Sequence, residues 1–329
     1  MMLILSEKEI QENYFMKDAI ADVKQGIHSK KDGQLTNPHR TVIDVSKHQA
    51  SALYMPSADL AQEIASVKIV SIFPENPAKG KPTTQGVLML TDAATGEHIC
   101  MMNASFLTRL RTGALSAIGT EKLARKNSSR LGVIGTGGMA FEQVLGMLEV
   151  RDLENIMLFN RTKEKAVRFK GKLMEYGANQ IIEVVESAEE VVKASDIICC
   201  STRSNDPVFN GVELKEGTHI NGVGSYLPNM REVDLITIQT ASKIVVDDLT
   251  SVKEEAGELI YADKESDWSF SDVYGELSDL NMVDDTPVRQ THDEITFFKS
   301  VGAAYFDLFV AKGIYQKAVE KGFGNRVEM

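Results

Sequence analysis

In the second half of the chain, apolar positions gather into short continuous blocks. Longer stretches of mixed, helix-spaced polarity separate them. Leu131–Ile134, "NIMLFN" at 155–160, "DIICCST" at 196–202, "THINGVGS" at 218–225 and "SKIVVDD" at 242–248 each read as a strand buried on both faces. Between them, Ala140, Val144, Leu145 and Leu148 recur at helical spacing, and "SAEEVVKAS" (187–195) and "SVKEEAGELI" (251–260) also read as helices. Regular strand–helix alternation predicts an α/β fold with a doubly wound parallel sheet. Residues 1–118 differ. An amphipathic first helix leads into strand-like runs such as "SVKIVSIF" (66–73) and "GVLMLTD" (86–92), which points to a separate α+β domain. A last helical pattern, from about Ala303 to Lys321, has no strand pattern after it and is expected to pack back on the N-terminal part. The expected division is 1–118 with 303–329 against 119–302.

Composition narrows the function. A chain of 329 residues has room for two domains, and its 43% hydrophobic and 25% charged residues are ordinary for a globular protein. A net charge of −11 without any long Lys/Arg run argues against nucleic acid or an anionic membrane as partner. The three cysteines, Cys100 and the adjacent Cys199 and Cys200, make no disulfide framework and suit a reducing cytoplasm. The N-terminal apolar stretch turns charged too soon for a signal-peptide core, and no 18-residue apolar window is present. No metal-ligand pattern stands out.

The chemistry starts at "LGVIGTGGMA". After the first strand, Gly135-Thr136-Gly137-Gly138-Met139-Ala140 fits G-x-G-x-x-G/A and opens a helix, and a second strand follows at 155–160. This is the dinucleotide fingerprint of a Rossmann unit in its proper context. Gly135 permits the tight turn, Gly137 lets backbone approach a pyrophosphate, and Ala140 lets the helix lie close to the strand. The second strand ends in Asn160-Arg161-Thr162, where an NAD-preferring site usually carries Asp or Glu. A neutral Asn160 does not repel a 2′-phosphate and Arg161 can pair with it, so NADP(H) is expected ahead of NAD(H).

Four further segments occur in order with the fingerprint: residues 67–97, "LTRLRTGALSAIGTEKLA" (107–124), "GVIGTGGMA" (132–140) and "FFKSVGAAYFDL" (297–308). Together they resemble the ornithine cyclodeaminase/mu-crystallin family over nearly the whole chain. The resemblance implies a homodimer whose N-terminal domain supplies both substrate contacts and the dimer interface, joined to a Rossmann domain. It implies that Arg40 in "NPHR" and Arg111 in "LRTGA" bind a substrate carboxylate, for which a planar guanidinium is a bidentate match. It makes Lys68 in "SVKIV" the active-site lysine; a lone lysine in an apolar strand is costly unless paired or functional. Met55 is expected to shape the site, and Thr84 to add a substrate hydrogen bond. Thr112, Met139, Ser201, Thr202, Val223, Gly224, Ser225, Lys299, Ser300 and Gly302 are expected, on the same basis, to line the cofactor.

One turn separates activities within that resemblance. Ornithine cyclodeaminases carry an aspartate with an acid/base role in the turn matching "GSYLP"; this chain has Tyr226 there, expected to face the substrate by walling the imine ring or donating a weak hydrogen bond, or else simply to pack. A phenol is a far weaker acid than a carboxyl group, so ring-forming deamination is put in doubt. "GSYLPNMREV" and the C-terminal "KAVEKGFGNRVE" instead resemble the bacterial members that reduce 1-pyrroline-2-carboxylate to L-proline and 1-piperideine-2-carboxylate to L-pipecolate. A cyclodeaminase or another amino-acid dehydrogenase, and a non-catalytic ligand binder of the mu-crystallin kind, are the other readings; intact Arg40, Lys68 and Arg111 weigh against the last. Relatives often carry a Gly/Pro-rich turn at 276–294, where this chain keeps only Pro287 and Arg289, in a loop expected near the cofactor.

Overall fold

The computed structural model describes residues 1–280, 282 and 288–328; Pro287 lies outside them. Contacts divide the chain into two units, Met1–Arg111 with Ala303–Met329 and Thr112–Gly302. The division falls at Arg111 rather than at 118, inside one continuous helix.

The chain opens with β1 (Met2–Leu5), then α1 (Glu7–Asn13) and α2 (Met16–Lys31). The expected single first helix is therefore two. α1 starts in a capping box, in which Ser6 accepts from the Glu9 N–H and the Glu9 carboxylate accepts from the Ser6 N–H at 2.9 Å. Next come β2 (Leu35–Thr36), β3 (Thr41–Val45), β4 (Ala50–Asp59), β5 (Ile64–Ile72), β6 (Thr84–Asp92), β7 (His98–Asn103) and α3 (Ala104–Leu123), the helix that leads into the second unit.

The second unit is built on β8 (Arg130–Ile134), α4 (Ala140–Val150), β9 (Asn155–Phe159), α5 (Lys163–Tyr176), β10 (Ile181–Val184), α6 (Ala188–Ala194), β11 (Ile197–Cys200) and β12 (His219–Gly222). It continues with α7 (Leu235–Thr240), β13 (Lys243–Val246), α8 (Leu249–Glu255), α9 (Gly257–Glu265), β14 (Gly275–Glu276) and β15 (Thr296–Lys299). Its eight strands are all parallel, in the order β10-β9-β8-β11-β12-β15-β13-β14. The order reverses between β8 and β11, the switch point where doubly wound sheets hold ligands at their strands' carboxyl ends.

Three features depart from or add to the sequence pattern. The pattern at 251–260 breaks at Ala256 into α8 and α9. "TFFK" at 296–299 forms a central strand, inserted between β12 and β13. On α4 the fully buried side chains are Ala140, Gln143, Val144 and Met147, whereas Leu145 and Leu148 are only half-buried. That face is set by close approach to α3, because a Cβ on Gly146 would come 2.4 Å from the Gly113 carbonyl oxygen.

The chain then returns to the first unit in α10 (Ala304–Lys321) and β16 (Asn325–Val327). A strand does follow the last helix, contrary to expectation: it is exposed and pairs antiparallel with β1. The first sheet runs β16-β1-β7-β6-β5-β4-β2, with β3 also on β4. α10 packs on α2 and on β4, β5 and β6, and every residue from Ala304 to Ala311 is buried. One face of this sheet is thus a core, and strand alternation decides which side chains enter it.

Candidate active site

Lys68 lies mid-strand on β5, in register with Met55 on β4 and Leu88 on β6. All three side chains are buried. Alternation turns Lys68 inward, where an unpaired ammonium would be prohibitively costly. The structure supplies a partner that sequence reasoning missed. Asp307, on α10, is 0% exposed and accepts from Lys68 Nζ at 2.6 Å and from Arg111 Nε at 3.1 Å. Arg111 comes from α3 and is itself buried. Among the described residues, no hydrogen bond uses the terminal nitrogens of the Arg111 guanidinium, so its fork remains for a ligand. The signal for Asp307 was present: a lone carboxylate inside the apolar run "YFDLFV" needs a cation as much as Lys68 needs an anion.

The charges tune one another. Burial pushes the Lys68 ammonium down from 10.5 to about 8; the Arg111 and Arg40 cations push the same way, and Asp307 opposes them. For Asp307, burial acts to raise its carboxyl, but the Arg111 and Lys68 cations outweigh this and hold it below the ordinary carboxylate range. Arg40, just ahead of β3, is half-buried and close enough to bias Lys68. Met55 packs with Leu53 and Ala304, and Thr84, half-buried, begins β6. Of the expected substrate residues, the first unit therefore brings Arg40, Lys68, Met55 and Arg111 to one region and adds Asp307.

In the second unit, Gly135 has φ +90°, and a Cβ there would sit 2.6 Å from Thr202 Cγ2, so glycine is required. Its N–H donates to Phe159 O at 2.9 Å and its carbonyl accepts from Ser201 Oγ at 2.9 Å. Asn160 clips the turn to the end of β9: its Oδ1 accepts from the Thr136 N–H at 3.1 Å and its Nδ2 donates to Thr162 O at 2.9 Å. Gly137 and Gly138 are exposed, with nothing near where a Cβ would go. Among the described residues, the buried Thr136 Oγ1 has no partner, and the first turn of α4, preceded by Met139, has no side-chain cap. Open backbone, an unused hydroxyl and uncapped N–H groups fit a dinucleotide pyrophosphate. Arg161 and Thr162 are exposed beside them.

Val223, Gly224, Ser225 and Tyr226 follow β12 at the same carboxyl edge. A buried network braces this turn. Glu232 accepts from the Gly224 N–H at 2.7 Å and from the N–H and hydroxyl of Thr202. Burial raises the Glu232 carboxyl, against the pull of Lys299 and these N–H groups. Lys299 Nζ donates to the carbonyl and hydroxyl oxygens of Ser225, both at 2.6 Å, and lies 3.0 Å from Glu258. Ser300 Oγ and the Gly302 N–H donate to Asp247 at 2.7 Å each. Ser225, Lys299 and Ser300 are almost wholly buried and spend their polar groups on protein atoms. Their side chains brace the turn through protein hydrogen bonds. Thr112 is likewise buried, on α3.

Tyr226, expected to face the substrate, is half-buried against the apolar cluster of the second unit, and the Arg203 guanidinium lies 5.9 Å from its ring. Within the loop expected near the cofactor, Glu276 stays at the carboxyl edge, where it accepts from the Leu249 N–H at 2.9 Å, while Arg289 lies at the other edge. Arg289 donates to Leu123 O at 2.9 Å and Gly217 O at 3.2 Å, and contacts Thr296, so it ties down the amino ends of β12 and β15. The glycine turn is at the opposite ends of the strands.

The profile of the ornithine cyclodeaminase/mu-crystallin family matches residues 1–322. The chain belongs to that family. Among its members, a Delta(1)-pyrroline-2-carboxylate reductase from Bacillus cereus is 38% identical over 327 residues, covering 99% of this chain and 100% of the relative. The structure of the Thermococcus litoralis Delta(1)-pyrroline-2-carboxylate reductase in complex with NADH and L-proline superposes with a TM-score of 0.94 at 37% identity, over 99% of this chain and 100% of that one. An archaeal alanine dehydrogenase dimer with bound NAD gives 0.91 at 31% identity, over 99% of each chain. Among the described residues, no helix is long and apolar enough to cross a membrane.

Proposed function

We propose that this family member is an NAD(P)H-dependent imine reductase that converts 1-pyrroline-2-carboxylate to L-proline, and the six-membered 1-piperideine-2-carboxylate to L-pipecolate. The observation that carries this reading is the buried Lys68–Asp307–Arg111 cluster with Arg40 beside it. It is a cationic site with one carboxylate already satisfied and one guanidinium fork still open. Arg111 and Arg40 take the substrate carboxylate, for which the fork of Arg111 is a geometric match. Lys68, its ammonium brought down to about 8 by burial, is able to hold or pass a proton at the imine nitrogen. The nicotinamide cofactor supplies the hydride that reaches C2. The C=N π electrons then become the nitrogen lone pair or its N–H bond, and one hydride plus one proton balance the imine-to-amine change. Catalysis is placement and charge compensation.

Arg161 and the neutral Asn160 support use of NADPH at least as well as NADH. The outward face of the first sheet supports a homodimer. Ile43, Ile69 and Val87 are 50%, 36% and 45% exposed and point away from α10, and Tyr54, Ile69 and Val87 form one cross-strand row. Such an apolar face suits a second copy of the chain. The three buried thiols suit the cytoplasm.

The test is direct: purified protein, 1-pyrroline-2-carboxylate and NADPH or NADH, followed at the nicotinamide absorbance with L-proline identified as product. Comparable ammonia release from L-ornithine, or no imine-dependent oxidation of either cofactor, overturns the assignment.

A further inference from the structure

Asp307 joins two cations that come from distant parts of the first unit. Its Oδ2 takes Lys68 Nζ and its Oδ1 takes Arg111 Nε, so each oxygen is committed and neither is left for a substrate. It is wholly buried, and as an anion it would repel the carboxylate of any 2-imino acid. Arg111 is held by its side nitrogen Nε, and Lys68 by one hydrogen of its terminal ammonium. Two Lys68 N–H groups and the Arg111 fork remain unused by the described residues. The guanidinium is bonded at its side nitrogen, which leaves both terminal nitrogens for end-on bidentate capture of a carboxylate.

Charge compensation adds a second argument. The groups facing Lys68 are Arg40 ahead of β3, Arg111 on α3 and Asp307 on α10, while Met55 and Leu88 flank it on β4 and β6. Without Asp307, three cations would face a substrate whose reactive form is itself a protonated imine. With it, the substrate carboxylate and Asp307 together offset most of that charge.

We infer that Asp307 is a positioning residue for imine reduction: it orients Lys68 and Arg111 on its two oxygens and supplies the buried anion that offsets their charge. The assignment rests on the imine-reductase reading of the same site. Asp307 touches no reacting atom and acts through its two partners.

Three measurements on the full-length protein test it. The pH dependence of kcat/KM for 1-pyrroline-2-carboxylate reports the limb on which Lys68 loses its proton. In the wild type that limb is expected near pH 8, since activity is lost as pH rises through the ammonium's pKa. In Asp307→Asn the opposing carboxylate is gone, and the limb moves down by about 1–3 pH units, the usual effect of an opposite charge at this range. Titration of the Lys68 side chain by NMR in the substrate-free protein shows the same downward move. This readout needs no substrate, so it separates failure of the inference from failure of the reductase assignment. Asp307→Glu keeps the charge but displaces the oxygens by a methylene. It keeps the limb near the wild-type position while kcat/KM falls about 10–100-fold, as displacement of catalytic partners by about an ångström does. An unmoved Lys68 titration in Asp307→Asn overturns the inference. If that variant does not fold, full wild-type kcat/KM in Asp307→Glu overturns it instead.

Discussion

Asn160 Oδ1 accepts the backbone N–H of Thr136 at 3.1 Å, which fixes the glycine turn to the end of β9. The residue that occupies the usual ribose-discriminating position is thus also a structural clip. An aspartate could still accept from Thr136, but it could not donate to Thr162 O as Asn160 does at 2.9 Å. Asn160→Asp should therefore leave the turn formed while placing a negative charge where a 2′-phosphate would sit. The ratio of NADPH to NADH kcat/KM should fall about 5–30-fold, equivalent to about 1–2 kcal/mol. An unchanged ratio would remove Asn160 and Arg161 from cofactor choice.

Arg111 contributes through two different ends. Nε holds Asp307, and the unused fork is assigned to the substrate carboxylate. Lysine can replace neither function fully, because it is a point charge without a planar fork. Arg111→Lys should raise KM for the imino acid about 10–100-fold, the scale of a lost charge-assisted hydrogen bond of about 1.5–3 kcal/mol. Cofactor affinity, measured by nicotinamide fluorescence, should change little. Loss of NADH binding in that variant would place Arg111 in the fold or at the cofactor.

The sequence made some of this site readable for local reasons. A G-x-G-x-x-A turn is dictated by backbone sterics within a few residues, so Gly135, Gly137 and Ala140 could be placed without knowing the rest of the chain. Lys68 could be singled out because a lysine amid Val and Ile is locally anomalous. Asp307 shows the same anomaly, but its partner is 239 residues away, and no local pattern names a partner at that distance. The place of β15 between β12 and β13 was hidden for a similar reason, since sheet order is a tertiary outcome. β16 carried no signal at all, because its three residues are exposed. Lys299 and Ser225 were drawn to the cofactor by their motifs. The structure shows their side chains bonded to protein groups, Lys299 to Ser225 and Glu258, which no local motif reveals.

The first sheet's uncovered face gives a prediction about assembly. Ile69 is the outward neighbour of Lys68 on β5 and pairs with Val87 on β6, and Val87 is 45% exposed. A charge at either position sits in water in a monomer but would be desolvated in a dimer built on this face. Ile69→Asp and Val87→Asp should each shift the protein from dimer to monomer in sedimentation experiments, with the far-UV circular dichroism spectrum kept. A dimer that persists in both variants would put the interface elsewhere.

His219 sets a pH limit on stability. It is fully buried on β12, with Nδ1 3.0 Å from Thr296 Oγ1 and Nε2 3.3 Å from Asn221 Oδ1. Burial, reinforced by the Arg289 and Arg151 cations, pushes the imidazole from 6.5 down to about 3. Between those values the unfolded chain binds a proton that the folded chain refuses. Stability attributable to His219 is therefore complete above about pH 6.5 and falls as pH is lowered towards about 3. The limiting slope is about 1.4 kcal/mol per pH unit. The buried Glu232 and Asp247 carboxyls are raised by burial and act in the opposite direction, so the comparison must be with His219→Gln under identical conditions. Urea midpoints of the wild type should fall faster than those of the variant between about pH 6 and 4; parallel profiles would refute the assignment.

Tyr226 stands at the turn position where the family resemblance places the cyclodeaminases' aspartate. Its ring packs on the apolar cluster of the second unit beneath the Arg203 guanidinium, and the backbone of the turn is fixed by Glu232 and Lys299 rather than by the phenol. Tyr226→Phe keeps the ring, its packing and the cation–π contact, and removes only the hydroxyl. If the ring's role is to pack and shape the turn, imine reduction should fall by less than about tenfold, or about 1.4 kcal/mol. Were the hydroxyl the group that delivers the imine proton, the loss would be about 10²–10⁴-fold. Lys68 is the better proton source, being buried with a single bonded partner and a pKa brought down to about 8. The smaller effect is therefore expected, with the wild-type pH profile retained. The converse substitution, Tyr226→Asp, places a carboxylate where cyclodeaminases carry one; ammonia release from L-ornithine by that variant, absent from the wild type, would identify this single position as the switch between reduction and ring-forming deamination.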